Sequence, residues 1–228
     1  MPFENRDFNT PDYTEELEEP KKVVIISCEG SNTEPEYFDA VKRKLSDNLK
    51  NLVEVDIVPK PPGDSEPTAV LNNLKEHVKN KYDFNEGSDI LWLVIDRESV
   101  EARKRNIKKI IPECNRDGYS IALSNPLFEF WLLLHVTDIT AYDSDVLIQN
   151  KWVNASKNRR YIDKELSTIL PNGFNKRKGK FNQDIVSFEN VKRALAQEKL
   201  FTTSYPEILD SLGSNIGELI GDFLDLSE

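Results

Sequence analysis

The stretch Val23-Val24-Ile25-Ile26-Ser27-Cys28-Glu29-Gly30-Ser31-Asn32-Thr33-Glu34-Pro35-Glu36-Tyr37-Phe38 decides the fold class. It opens on four β-branched residues with no polar alternation, the pattern of a strand buried on both faces. A polar turn follows from Ser27 to Asn32. Thr33 and Glu36 then have capping-box spacing, and Pro35 falls in a helical first turn, where a missing N–H costs nothing. Apolar residues recur at helical spacing from Tyr37 to Leu49. A buried strand running straight into a helix is the start of a βαβ unit.

Outward from there the pattern repeats. Val53 to Val58 alternates and reads as a second strand, 59–67 (PKPPGDSEP) as a loop, and Thr68 to Val78 as a helix. Ile90 to Ile95 is another all-apolar strand, ending at Asp96-Arg97-Glu98. A basic helix spans Ser99 to Cys114, Asp117-Gly118 makes a turn, and Tyr119 to Leu123 forms a fourth strand. Asn125 is placed to cap a helix that starts at Pro126 and runs to His135. The order β-α-β-α-β-α-β-α predicts a parallel sheet with helices on both faces. From about residue 140 strand signals fade, leaving helical stretches near 160–169, 184–199 and 214–226, broken by PNGFNKRKGKF (171–181). The expected organisation is a flexible acidic leader over 1–20, an α/β domain over 21–138, and a mainly helical portion over 139–228 packed on it.

In open parallel sheets, ligands bind beyond the carboxyl ends of the strands. Five acids obey that rule: Glu29 and Glu34 after the first strand, Asp96 and Glu98 after the third, and Glu129 in the helix after the fourth. Carboxylates gathered without a cation repel one another, whereas hard divalent cations want oxygen ligands. Mg2+ or Mn2+ is the expected cofactor, able to polarise a phosphodiester or to generate hydroxide. Singly, each acid has an ordinary alternative. Glu34 and Glu36 suit a helix first turn, Asp96-Arg97-Glu98 a charged turn, and Glu129 a paired helix position. The combination is what points to metal.

The net charge of −10 hides an uneven distribution. Residues 1–20 and 207–228 each carry −6, which leaves the middle at about +2. Overall charge therefore does not exclude a polyanionic partner. Three basic patches are candidates for phosphate contact. The first is Arg103, Lys104, Arg105, Lys108 and Lys109, more simply read as a solvated helix face. The second is Lys151, Lys157, Arg159 and Arg160. The third is Lys176, Arg177, Lys178 and Lys180, in a loop whose flanking Phe174 and Phe181 could stack on unpaired bases. Lys176 is the candidate for stabilising charge on a cleaved phosphate. His135, Cys28, Trp92, Trp131, Phe128 and Phe130 read as structural, and His77 as a surface residue.

No stretch approaches the ~20 apolar residues of a membrane span, and the first twenty residues lack the apolar core of a secretory signal. Cys28 and Cys114 have neither metal-type spacing nor a disulfide framework. A cytoplasmic protein is expected, and a homo-oligomer is compatible with the sequence.

Two segments resemble the signatures of the RloB/AbiLii family. Cys28 to Phe38 is similar to its CEGxxTEPxYF, and Ser124 to His135 to its SNPxFExWLLLH. Asp96-Arg97-Glu98 stands where the family has DRD, and Gly213 to Leu219 looks like its C-terminal helix start. The resemblance runs from about Lys22 to Leu226. It implies a Toprim-like fold, similar to that of OLD-family nucleases, in which Glu29 and Glu34 match one metal-holding element, Asp96 and Glu98 a second, and Glu129 an acid of the helix after the fourth strand. It further implies an endonuclease acting on DNA or RNA, tRNA included, as the effector of anti-phage abortive infection. Such proteins stand beside an ABC- or SMC-like ATPase, and this chain carries no Walker A motif of its own. Glu98 departs from the family's Asp by one methylene, which leaves a catalytically weak regulatory subunit of the same complex as the alternative.

Overall fold

The computed structural model describes residues 22–50, 53–60, 65–81, 89–154 and 159–226. The leader expected over 1–20, the middle of the 59–67 loop and Lys157 lie outside the described residues. Four strands, β1 (Lys22–Cys28), β2 (Val53–Ile57), β3 (Ile90–Asp96) and β4 (Tyr119–Asn125), run parallel in the order β2-β1-β3-β4. The crossovers are α1 (Thr33–Lys44), α2 (Pro67–Lys81) and α3 (Glu101–Asp117).

Side chains alternate across the sheet as the strand pleat requires. Ile25, Leu91, Leu93, Ile95 and Leu123 pack with Leu71 and Leu74 of α2 and Ile107 and Ile110 of α3. Val24, Ile26, Cys28, Trp92 and Val94 face the other way, towards Tyr37, Phe38 and Val41 of α1. On that side lies α4 (Phe128–Val136), with every residue from Phe128 to His135 buried. A helix that is apolar all round has no solvent face to offer. It is covered by α6 (Tyr161–Ile169) and α7 (Phe188–Glu198), so α4 becomes a middle layer. Each large side chain buried there, such as Trp131 or Phe130, contributes roughly 1.5–3 kcal/mol. No helix among the described residues is long and apolar enough to cross a membrane.

Three local expectations are corrected. Asn125 does not cap α4. It closes β4, and its amide donates to the carbonyls of Ile208 (2.8 Å) and Ser211 (2.9 Å). Thr33 and Glu36 form no capping box, since Asn32 holds the cap position without a side-chain bond and Glu36 reaches elsewhere. The C-terminal portion is not strandless. β5 (Trp152–Asn154) and β6 (Arg159–Arg160) form an antiparallel pair, and β7 (Gly213–Ser214) adds antiparallel to β4. Segments of two or three residues are too short to carry a period-2 pattern. β7 is extended by Asn215, whose side chain accepts from Leu123 N (2.7 Å) and donates to Ile121 O (2.9 Å), mimicking one more strand residue. The short helices α5 (Ser144–Gln149) and α8 (Tyr205–Ile208) and the terminal α9 (Ile216–Phe223) complete the chain.

His135 and Tyr37 form a buried polar pair in the core. His135 Nδ1 lies 2.9 Å from Trp131 O, and Nε2 lies 3.1 Å from the Tyr37 hydroxyl. A carbonyl only accepts, so Nδ1 carries the proton and Tyr37 donates to Nε2. Burial holds the imidazole neutral, pulling its pKa from 6.5 down to about 4. The unfolded chain takes up this proton near pH 6.5 and the folded chain does not until about pH 4. Stability from this group is therefore complete above pH 6.5 and falls by about 3 kcal/mol as pH drops to 4. Urea unfolding between pH 7 and 4.5 is expected to show that loss in the wild type relative to His135→Gln. Parallel pH profiles for the two proteins would contradict it.

Candidate functional site

The chain runs from β1 outwards to β2 on one side, and to β3 and β4 on the other. The reversal lies between β1 and β3, and the crevice at the carboxyl ends of such strands is where α/β sheets bind ligands. Glu29 and Asp96 stand there. Glu29 N donates to Val94 O (2.9 Å), continuing the ladder by one residue. Its Oε2 accepts the Asp96 backbone N–H at 3.0 Å. Asp96 Oδ1 in turn accepts from Phe128 N at 2.7 Å, which ties the end of β3 to the start of α4. That bond brings Glu129, in the first turn of α4, to the same place.

Glu34 folds back from the start of α1, and its Oε1 accepts from Gly30 N at 3.1 Å. A Cβ on Gly30 would lie 1.9 Å from Glu34 Oε2, so a larger residue here would displace the Glu34 carboxylate. Glu29, Glu34 and Glu129 are all buried. Burial pushes Glu29 up to about 7 against the opposing pull of Arg103. Burial and the Glu129 charge push Glu34 up to about 7. Asp96 is held well above the usual carboxylate range by burial and by Glu29, Glu34 and Glu129. These four acids thus feel one another across three strand ends.

Three cations answer them. Arg103 is 7% exposed, which overturns its reading as part of a solvated face. It pairs with Glu29 Oε2 and donates to Asp96 O (3.0 Å) and Ser65 O (2.9 Å). Lys60 donates to the Glu29 carbonyl and to Ser65 Oγ (2.9 Å). Lys176 lies 2.9 Å from both Glu129 Oε1 and Asp163 Oδ1. Burial draws its pKa down, but Glu129 and Asp163 together outweigh it and hold the ammonium above its ordinary range.

The donor set, all carboxylate oxygens, fits a hard divalent cation such as Mg2+ or Mn2+. It is not preassembled: among the described residues, no three Asp, Glu, His or Cys surround one point at ligand distance. In this arrangement Arg103 and Lys176 supply the positive charge.

Asp96-Arg97-Glu98 divides into three roles. Asp96 belongs to the cluster. Arg97 is a buried bolt, donating to Leu209 O (2.7 Å), Glu98 O (2.5 Å) and Val100 O (3.2 Å). Glu98 lies at the edge, lining a cleft of about 260 Å3 with Glu29 and Arg103. Its φ is +50°, a region that Asp tolerates better than Glu. Glu98→Asp is therefore expected to raise stability by about 0.5 kcal/mol. A shift of the urea midpoint to higher concentration checks this, and a lower midpoint contradicts it.

Of the basic residues singled out in the sequence, Arg159, Lys176 and Arg177 share one cleft with Asn32 and Asp163. Arg160 stacks on Trp152, 4.7 Å from the ring centroid. Lys178 and Lys180 line other grooves, Lys178 beside Asp39 and Arg43, and Lys180 beside Asn182 and Asp184. Phe174 and Phe181 are buried, so they are not free to stack on bases and serve instead to root their loop in the core. Asn32 Nδ2 donates to Lys176 O (3.1 Å), and the Glu36 carboxylate accepts from Gly179 N (2.6 Å) and Phe181 N (3.1 Å). The loop is thereby clasped to α1.

The family model described as RloB-like protein matches residues 24–222. The chain belongs to the RloB-like family. No curated protein and no solved structure matches it. The matched span of this RloB-like chain includes every acid of the cluster and also Arg103, Asp163 and Lys176. Arg103 had a sequence signal, since it shares the buried stripe of α3 with Ile107, Ile110 and Cys114 at helical spacing. Asp163 had none that separates it from an ordinary first-turn acid.

Proposed function

We propose that this RloB-like chain is a Toprim-type, metal-dependent endonuclease that cleaves phosphodiester bonds in DNA or RNA, tRNA included. It works in the cytoplasm as the effector of an anti-phage abortive-infection system, beside an ABC- or SMC-like ATPase partner. The observation that carries this reading is the gathering of Glu29, Glu34, Asp96 and Glu129 from separate strand ends, with Lys176 among them. Glu29, Glu34, Asp96 and Glu129 would hold Mg2+ or Mn2+, with Glu98 at the rim. A bound divalent ion supplies Lewis acidity for the phosphodiester and makes a water nucleophilic at neutral pH. Arg103 orients the Glu29 carboxylate. Lys176 stays protonated and offers its charge to phosphate oxygens as negative charge builds on them.

A second reading, a catalytically weak or inactive regulatory subunit of the same ATPase complex, has its own support. No three acids converge at ligand distance among the described residues, and Glu98 sits at the edge. The deciding experiment mixes the full chain, alone and co-expressed with the neighbouring ATPase, with Mn2+ and labelled DNA and RNA. The nuclease reading expects cuts that Asp96→Asn abolishes. Equal, background-level products from wild type and Asp96→Asn would leave the regulatory reading standing.

A further inference from the structure

We infer that the cleft beside Lys176 receives single-stranded nucleic acid, with its phosphates on Arg159 and Arg177 and one unpaired base stacked on Trp152. This deepens the proposed function by naming the form of its substrate, and it rests on that reading only for its purpose.

The cleft has a volume of about 550 Å3 and opens onto Lys176, which bridges Asp163 and Glu129 of the acidic cluster. Arg159 and Arg177 line it, and among the described residues neither has a carboxylate within ion-pair distance. Other cations near the cluster are already engaged: Arg103 by the Glu29 carboxylate, and Lys60 by the Glu29 carbonyl and Ser65 Oγ. Two arginines with no acidic partner among the described residues, beside a cleft, are suited to phosphate oxygens.

The hairpin of β5 and β6 carries the rest. Of the three tryptophans, Trp92 and Trp131 are buried, whereas Trp152 is 50% exposed. Val153 next to it is also exposed. Trp152 and Arg160 are cross-strand partners, and the guanidinium covers part of the indole, which fixes the ring. Arg159 pairs with Asn154 beside a register shift, and it lines the cleft, whereas Trp152 does not. The strand pair therefore offers phosphate-binding charge in the cleft and a stacking ring outside it. A base held in a duplex by its partner is not free to stack on that ring, but an unpaired base is. Base stacking on an aromatic ring is available to every base, so the platform reads strandedness and not sequence.

The test measures binding in EDTA, so that no cleavage is needed. Fluorescein-labelled 20-nucleotide single-stranded DNA, single-stranded RNA and duplex DNA are titrated with the full chain, with Trp152→Ala, Trp152→Phe and the double variant Arg159→Ala/Arg177→Ala. The expected result is a roughly 5- to 100-fold weakening of single-strand binding in Trp152→Ala, recovered largely in Trp152→Phe, with duplex binding changed far less. The double variant is expected to weaken binding and to flatten the salt dependence by about two phosphate contacts. Comparison of the DNA and RNA arms tells which sugar is preferred. Unchanged single-strand binding in Trp152→Ala overturns the inference. So does a Trp152→Ala protein that binds normally but loses self-association in light scattering, which would make Trp152 a contact between copies. Intact, Trp152-dependent binding without cleavage under Mn2+ would count against the nuclease reading alone.

Discussion

Arg103→Met is expected to lower the stability of the metal-free protein by about 3–5 kcal/mol at pH 8, because it strands a buried carboxylate. Arg103 is the cation closest to Glu29, and it also serves the carbonyls of Asp96 and Ser65. Methionine fills part of the volume but none of the donor positions. Glu29 already titrates near 7 because burial outweighs Arg103. Without Arg103 its pKa rises further. A carboxyl group whose folded pKa lies above its unfolded value of 4.5 gives stability that is complete below pH 4.5 and is lost as pH rises through the folded value. The penalty is therefore largest at pH 8 and shrinks towards pH 5, where the carboxyl is protonated. Mn2+ should recover part of it by binding only the folded state. Urea unfolding at pH 5 and pH 8, with and without Mn2+, checks all three statements. An equal penalty at both pH values would mean that Arg103 acts through packing alone.

On the proposed nuclease function, Asp96→Asn is expected to reduce cleavage roughly 100- to 1000-fold while leaving the metal-free fold as stable as before, or more so, at pH 8. The two effects separate because Asp96 plays two parts. Its Oδ1 accepts from Phe128 N, and the asparagine carbonyl keeps that bond. Its charge is opposed by Glu29, Glu34 and Glu129, and that repulsion disappears. Single-turnover cleavage with Mn2+ and thermal unfolding at pH 8, run on the same preparations, give both numbers. A variant that loses activity together with its fold would say instead that Asp96 is needed for structure.

The parts legible in the sequence were those written in long patterns. The apolar runs of β1 and β3 and the acids that follow them placed Glu29 and Asp96 without any tertiary information. The run Phe128 to Leu134, apolar except for Glu129, announced a buried helix. What stayed illegible depended on contacts between distant segments. Asn125 has the chemistry of a cap, but the carbonyls of Ile208 and Ser211, more than 80 residues away, claim its amide. Glu36 has the spacing of a capping box, but its carboxylate goes to loop backbone N–H groups over 140 residues later. Phe174 and Phe181 look like stacking residues in a polar loop until the core that receives them is known. Lys176 could be nominated as one lysine in a basic run, but its selection among four depends on Glu129 and Asp163.

The clasp between α1 and the loop at 174–181 also sets an order of events during synthesis. Asn32 and Lys176 are 144 residues apart, so every strand-end acid leaves the ribosome well before the lysine that joins them. A nascent chain can pair β1 with β2 and β3 while the cluster still lacks its ammonium. The acidic cluster then gains its last charged member only once the loop has docked on a finished sheet.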